Sequence, residues 1–234
     1  MGIRSPQDLA DKLIRDFSGT GDPFLSMFFF GPSATSDYQN GGQIDLALTY
    51  KEVSGLLLSH LHEIAVKWAK QKVVLRYIFT PDYVENSLDT FPIEFLDMKA
   101  RHLHLDGVNW LPPLAIPKKE LRLQCERELR GLALHLRSEW VHLRPKASAF
   151  ASLTRRTRDI FHPIFRGLLE LRGKTGDKGS AEIFSQVEKE FGITNIFTRL
   201  VTEEPGKTRE ERQKTFDEWA AALDTLIRAV DGMK

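Results

Sequence analysis

The sequence predicts an α+β protein, with a small mixed-sheet α/β domain over 1–110 followed by an all-α helical bundle over 118–234. Three observations predict it. Helix and strand patterns alternate through the first half of the chain. A proline-rich stretch, Trp110-Leu111-Pro112-Pro113-Leu114-Ala115-Ile116-Pro117, then interrupts both patterns and reads as a hinge. Beyond it, apolar residues recur only at three-to-four spacing, the period of an amphipathic helix.

The elements follow in order. Ser5-Pro6-Gln7-Asp8 reads as a helix start with proline at the first helical position, and Leu9, Leu13, Ile14 and Phe17 continue it as an apolar stripe. Phe24 to Phe30 is an unbroken apolar run stopped by Gly31, the pattern of a strand buried on both faces. Gln43 to Tyr50 alternates around Ile44, Leu46 and Leu48 and predicts a second strand. A loop rich in Ser, Thr, Asn and Gly joins the two. Lys51 to Lys70 predicts a helix with Val53, Leu56, Leu57, Leu61, Ile64 and Trp68 inward, and Lys72 to Phe79 a third strand. Thr80-Pro81-Asp82 starts a short helix, and Phe91 to Met98 is expected as a fourth strand with Pro92 near its start. After the hinge, helices are predicted at Lys118–Leu143, Ala147–Arg172, Ser180–Glu190 and Thr208–Val230. They are punctuated by Gly173, Gly176, Gly179 and Glu204-Pro205-Gly206.

The totals narrow the function. The chain carries 33 basic and 32 acidic residues, so net charge gives no nucleic-acid signal. The single cysteine, Cys125, cannot form an internal disulfide and suits a reducing compartment. No apolar run approaches a membrane span, and MGIRSPQDLADKLIRDF lacks the apolar core of a secretory signal. A cytoplasmic protein with no membrane partner is expected.

The stretch FFFGPSATSDYQNGGQIDLAL (28–48) carries the chemistry. A glycine after a strand lets backbone N–H groups approach phosphate oxygens, and a nearby serine adds a donor. Acids one residue apart on the next strand would face one side and could hold Mg²⁺. Asp45 is one such acid, but its partner position holds Gln43. A third acid would come from Glu94, with Asp97 as the alternative on the opposite face of the expected strand.

This arrangement resembles the polymerase β-type nucleotidyltransferase superfamily, whose pattern is a Gly-Ser turn, a loop, then Asp-x-Asp on a strand. Gly31 and Ser33 match the turn, Asp45 matches the second acid, and nine residues separate Ser33 from Gln43. The blocks TPDYVENSLDTFPIEFLDMKARH, LRLQCERELRGLALHLR and FRGLLELRG are similar to a bacterial group of nucleotidyltransferase-domain proteins with a C-terminal helical domain. The resemblance implies a nucleoside triphosphate with Mg²⁺ and transfer of a nucleoside monophosphate to an acceptor it does not name. Asp45 and Glu94 would be the catalytic metal ligands. Gly31, Ser33 and Gln43 would lie around the nucleotide. The charges of the helix Glu120 to Arg137 read either as a solvated, salt-bridged face or as placing Arg122 or Arg130 where they neutralise its phosphates. Two departures weaken the motif: Gln43 removes one negative charge, and Pro32 removes one backbone N–H. The expected alternatives are a weak transferase and a pseudoenzyme that senses nucleotide or mediates protein interactions. Asp37, in the loop, is a candidate substitute acid.

Other groups read more plainly. His60 and His62 splay apart on a helix, and His102 and His104 lack cysteine partners, so surface or interface roles are expected. Arg155 and Arg156 stand six and five residues ahead of His162 when the intervening residues are counted, a spacing similar to HEPN-type ribonucleases, which would make the chain a toxin or antitoxin component. Arg166, among apolar neighbours, reads as a buried ion pair or a phosphate contact. The C-terminal stripe Phe216, Trp219, Leu223, Leu226 would pack internally or join a homo-oligomer.

Overall fold

The structure is a computed structural model and describes residues 6, 9–19, 23–35, 38, 41–142, 147–174, 179–202 and 208–233. Most of the 5–8 helix start, Asp37, Gly176 and 204–206 lie outside the described residues. The chain divides into two compact units, Met1–Thr90 with Asp97–Ile116, and Phe91–Leu96 with Pro117–Lys234.

The first unit is built on a four-stranded mixed sheet in the order β3-β2-β1-β4. Strand β1 (Phe24–Phe30) pairs antiparallel with β2 (Ile44–Tyr50) and with β4 (His102–Gly107), while β2 and β3 (Val73–Phe79) run parallel. The parallel pair needs a crossover, which α2 (Gly55–Ala69) supplies. Helix α1 (Ala10–Ser18) buries Leu13 and Phe17, and α2 buries Leu57, Leu61 and Trp68. These residues form one core with Met27, Phe29, Ile44, Leu46, Leu48 and Tyr50 of the sheet. Asp16 joins the two helices, accepting from Lys67 Nζ and Trp68 Nε1, each at 2.8 Å. Helix α2 begins later than expected because Ser54 caps it, its hydroxyl accepting the Leu57 N–H at 3.0 Å. Val53 lies ahead of the helix and Leu56 within it, and both are exposed rather than inward.

The short helix α3 (Pro81–Glu85) has the predicted start, with Pro81 in its first turn and the Thr80 side chain accepting from Tyr83 N. The expected strand at Phe91–Met98 is a helix, α4 (Pro92–Ala100), and the fourth strand is the following segment, β4. Ile93, Phe95, Leu96 and Met98 are all buried, so the run is apolar without a period that separates helix from strand. Pro92 at its start presets a helical φ and gives up an N–H that a helix does not need there.

The second unit is helical. It contains α5 (Lys118–His142), α6 (Ala147–Leu171), α7 (Ser180–Phe191), a single turn α8 (Arg199–Thr202) and α9 (Arg209–Asp231). Along α5 the predicted stripe Leu121, Cys125, Leu129, Leu132 and Leu136 is buried. Phe216, Trp219, Leu223 and Leu226 of α9 are buried too, with Trp219 stacked on Phe150 at 5.4 Å and Phe216 on Trp140 at 4.5 Å. Helix α9 starts with a capping box, Thr208 and Glu211 each bonding the other's backbone N–H. Among the described residues no helix is long and apolar enough to cross a membrane.

Candidate functional site

The site begins where β1 ends. Gly31 turns the chain at φ +68° into a single 3-10 turn, Gly31–Ala34. Its N–H donates to the Arg101 carbonyl at 2.9 Å, which ties the turn to the start of β4. Ser33 is buried; its hydroxyl donates to the Phe30 carbonyl at 2.9 Å and accepts the Asp45 N–H over a long 3.4 Å. The turn thus links β1, β2 and β4. With Pro32 lacking an N–H, the Gly31 N–H and the Ser33 hydroxyl are both engaged by backbone carbonyls.

Asp45 lies at the head of β2, opposite Phe30 on β1 and Val74 on β3. Its Oδ1 accepts from Arg76 Nε at 2.9 Å and from Gln43 Nε2 at 2.6 Å. The arginine reaches it because the β2–β3 register slips between Leu46 and Ala47. Leu75 pairs with Leu46 and Tyr77 with Ala47, leaving Arg76 as the extra residue of a bulge. Its side chain is 49% exposed against 21% for Asp45, so the pair sits at the rim of the sheet. Beyond Arg76, Tyr77 packs on Phe30 at 5.3 Å and stacks on Phe79 at 5.4 Å, with its ring side partly open to solvent.

These donors do not fit Mg²⁺. The ion prefers several oxygens with carboxylates among them, and among the described residues this corner offers one carboxylate with two N–H donors already on one oxygen. A fixed guanidinium beside that oxygen would also repel a divalent cation. Among the described residues no group of three or more His, Cys, Asp or Glu could hold a metal.

Glu94 and Asp97, the two candidate third acids, lie on α4 and take other partners. Asp45 belongs to the first unit and Glu94 to the second. Glu94 Oε2 accepts from Gln124 Nε2 at 2.8 Å, and Gln124 Oε1 accepts the Ile93 N–H at 2.8 Å. Asp97 pairs with the buried Arg101 one helical turn on, Oδ1 accepting from Nε at 2.9 Å. Arg122 and Arg130 share Glu126. Nη1 of Arg122 lies 3.0 Å from Oε2, and Nε of Arg130 lies 2.8 Å from Oε1. Arg122 also donates to the Val230 carbonyl at 3.3 Å. Arg130, with Arg122 second, holds the Glu126 carboxyl below the usual carboxylate range.

The histidines divide by place. His60 and His62 are exposed on α2. His102 Nδ1 is 3.0 Å from the Lys99 carbonyl, and its ring meets Phe28 edge-on. His162 is buried in α6 near the Phe184 ring, while Arg156 pairs with Glu139 at 2.9 Å on an exposed face. Arg166 is buried in the same helix. The residues that sequence reasoning missed are Arg76 and Gln124. Arg76 had a signal, a charge inside the apolar run VVLRYIF; Gln124 had none beyond being a polar residue on an apolar stripe.

No family model matches the chain, and no curated protein matches it. Among solved structures it is similar to the spectinomycin adenyltransferase AAD(9) from Enterococcus faecialis, crystallised with ATP and spectinomycin. The two are 13% identical with a TM-score of 0.46, and the match covers 93% of this chain and 98% of that one. A likeness so remote does not transfer an activity.

Proposed function

We propose that this chain is a nucleotidyltransferase-type protein that binds a nucleoside triphosphate at the Gly31–Asp45 corner and has lost metal-dependent transfer. In this reading residues 1–110 form the nucleotide domain and 118–234 a helical domain that mediates protein contacts. The motif Gly31, Ser33 and Asp45, with the downstream blocks that resemble the superfamily, supports the nucleotide. One observation carries the loss of transfer: Arg76 Nε and Gln43 Nε2 both bind Asp45 Oδ1, where a transferase would present open carboxylate oxygens to the metal. Nucleotidyl transfer depends on positioning and on neutralising the phosphates' developing charge. Asp45, already paired with an arginine, supplies no metal-centred version of either.

The test has two stages. Calorimetry with ATP, GTP, CTP and UTP is expected to give saturable binding for at least one. Incubation with the α-³²P-labelled form of that nucleotide, Mg²⁺ and hydroxyl-bearing acceptors is expected to transfer no label. Turnover that Asp45→Asn abolishes would overturn the loss of transfer. Binding of none of the four nucleotides would remove the nucleotide role altogether.

A further inference from the structure

The structure assigns Arg76 a role of its own: it is the built-in counter-charge of a polyphosphate site, so this corner takes phosphate-bearing ligands without a divalent cation. The inference rests on the nucleotide reading above and adds which cation meets the phosphates.

The bulge fixes where Arg76 stands, and Asp45 fixes how it points. The guanidinium spends only Nε on Asp45 Oδ1; among the described residues its two Nη atoms have no hydrogen-bond partner. The side chain is about half exposed, and the guanidinium's fork of Nη donors suits two phosphate oxygens. An arginine held by a carboxylate has lost part of its rotamer freedom before ligand arrives, which lowers the cost of binding. A second cation stands by. Lys72, at φ +62° just before β3, donates from Nζ to the Gly41 carbonyl at 2.7 Å, on the loop that leads into Gln43. Tyr77, the next residue after Arg76, offers a 41%-exposed ring packed on Phe30, a surface on which a nucleobase can stack. A metal-using corner needs negative charge to attract its ion. Among the described residues, the negative charge of this one, Asp45, is matched by Arg76.

The experiment titrates the full chain with inorganic tripolyphosphate and with ATP, each in EDTA and in excess Mg²⁺. The expected result is saturable binding of both in EDTA, no tightening with Mg²⁺, and weakening as salt rises. ATP binding more tightly than tripolyphosphate would assign the difference to the nucleoside. Arg76→Gln is expected to weaken both ligands about tenfold or more, and Arg76→Lys less, because it keeps the charge and loses the fork. Asp45→Asn is expected to leave the Mg²⁺ independence intact; were Asp45 a metal ligand, that variant would abolish a Mg²⁺-dependent component. Thermal melts check that the variants fold, and the EDTA against Mg²⁺ comparison on the wild type decides the matter without them. ATP binding that demands Mg²⁺ and persists in Arg76→Gln overturns the role of Arg76 and leaves the nucleotide reading standing. Binding of neither ligand in either condition overturns the role of Arg76, and the nucleotide reading falls with it only where GTP, CTP and UTP also fail to bind.

Discussion

Gln124 Nε2 donates to Glu94 Oε2 at 2.8 Å while the same side chain, through Oε1, accepts the Ile93 N–H. A buried amide on α5 therefore caps the first turn of α4, where backbone donors have no intrahelical acceptor. Gln124 is 4% exposed, so the Ile93 N–H has no ready water substitute. Gln124→Leu, close in shape, is expected to cost about 2 kcal/mol for the orphaned donor. Glu94→Gln, with its carboxylate near the surface, is expected to cost less than about 1 kcal/mol and to leave nucleotide affinity unchanged. Urea denaturation measures the first, and calorimetry of the Glu94 variant checks the second.

Gly31 and Gly107 both take positive φ, +68° and +79°, yet their surroundings differ. A Cβ at Gly31 would meet nothing within 4 Å, whereas at Gly107 it would fall 2.1 Å from the Leu25 carbonyl oxygen. Gly31→Ala should cost only the backbone preference, about 1 kcal/mol. Gly107→Ala should cost about 3 kcal/mol or more, since β1 and β4 must part to admit it. Equal denaturation midpoints for the two variants would contradict this account.

Burial pushes the Cys125 thiol up to about 12, with Glu128 adding to it. In the unfolded chain a thiol titrates near 8.5. Below that pH both states hold the proton and the thiol does not change stability. As pH rises towards 12 the unfolded state releases its proton and the folded state keeps it, so stability falls. The slope from this group is about 1.4 kcal/mol per pH unit. Cys125→Ala should lose some stability to the cavity and show a shallower alkaline fall. Parallel alkaline slopes for the two proteins would count against it.

Exchanging the charges of the corner should exchange its dependence on metal. Gln43→Asp together with Arg76→Gln replaces a neutralised acid with two bare carboxylates separated by one residue at the head of β2. Mg²⁺ affinity should appear in the double variant, and ATP binding should become Mg²⁺-dependent. Calorimetric titration with MgCl₂ checks the first, and ATP titration in EDTA the second. An unchanged response to Mg²⁺ would show that charge at 43 and 76 does not govern the site.

What the sequence determined by itself was whatever depends on near neighbours. Phe24–Phe30 forms β1 at its expected bounds because an apolar run ended by Gly31 has few alternatives. The long helices after the hinge follow from apolar spacing, and α9 starts where Thr208 and Glu211 make their box. The Gly31, Ser33, Asp45 motif was equally local, as was the gap that Gln43 leaves in it. What only the tertiary structure decided depended on partners distant in sequence. Helix α4 looked like a strand because its burial has no readable period, and its first turn is capped by Gln124, 31 residues further on. Arg76 reaches Asp45 across 31 residues, through a parallel pairing whose register slips by one. A slip of that kind is set by how β2 and β3 pack with the core around them, and no residue count along the chain contains it.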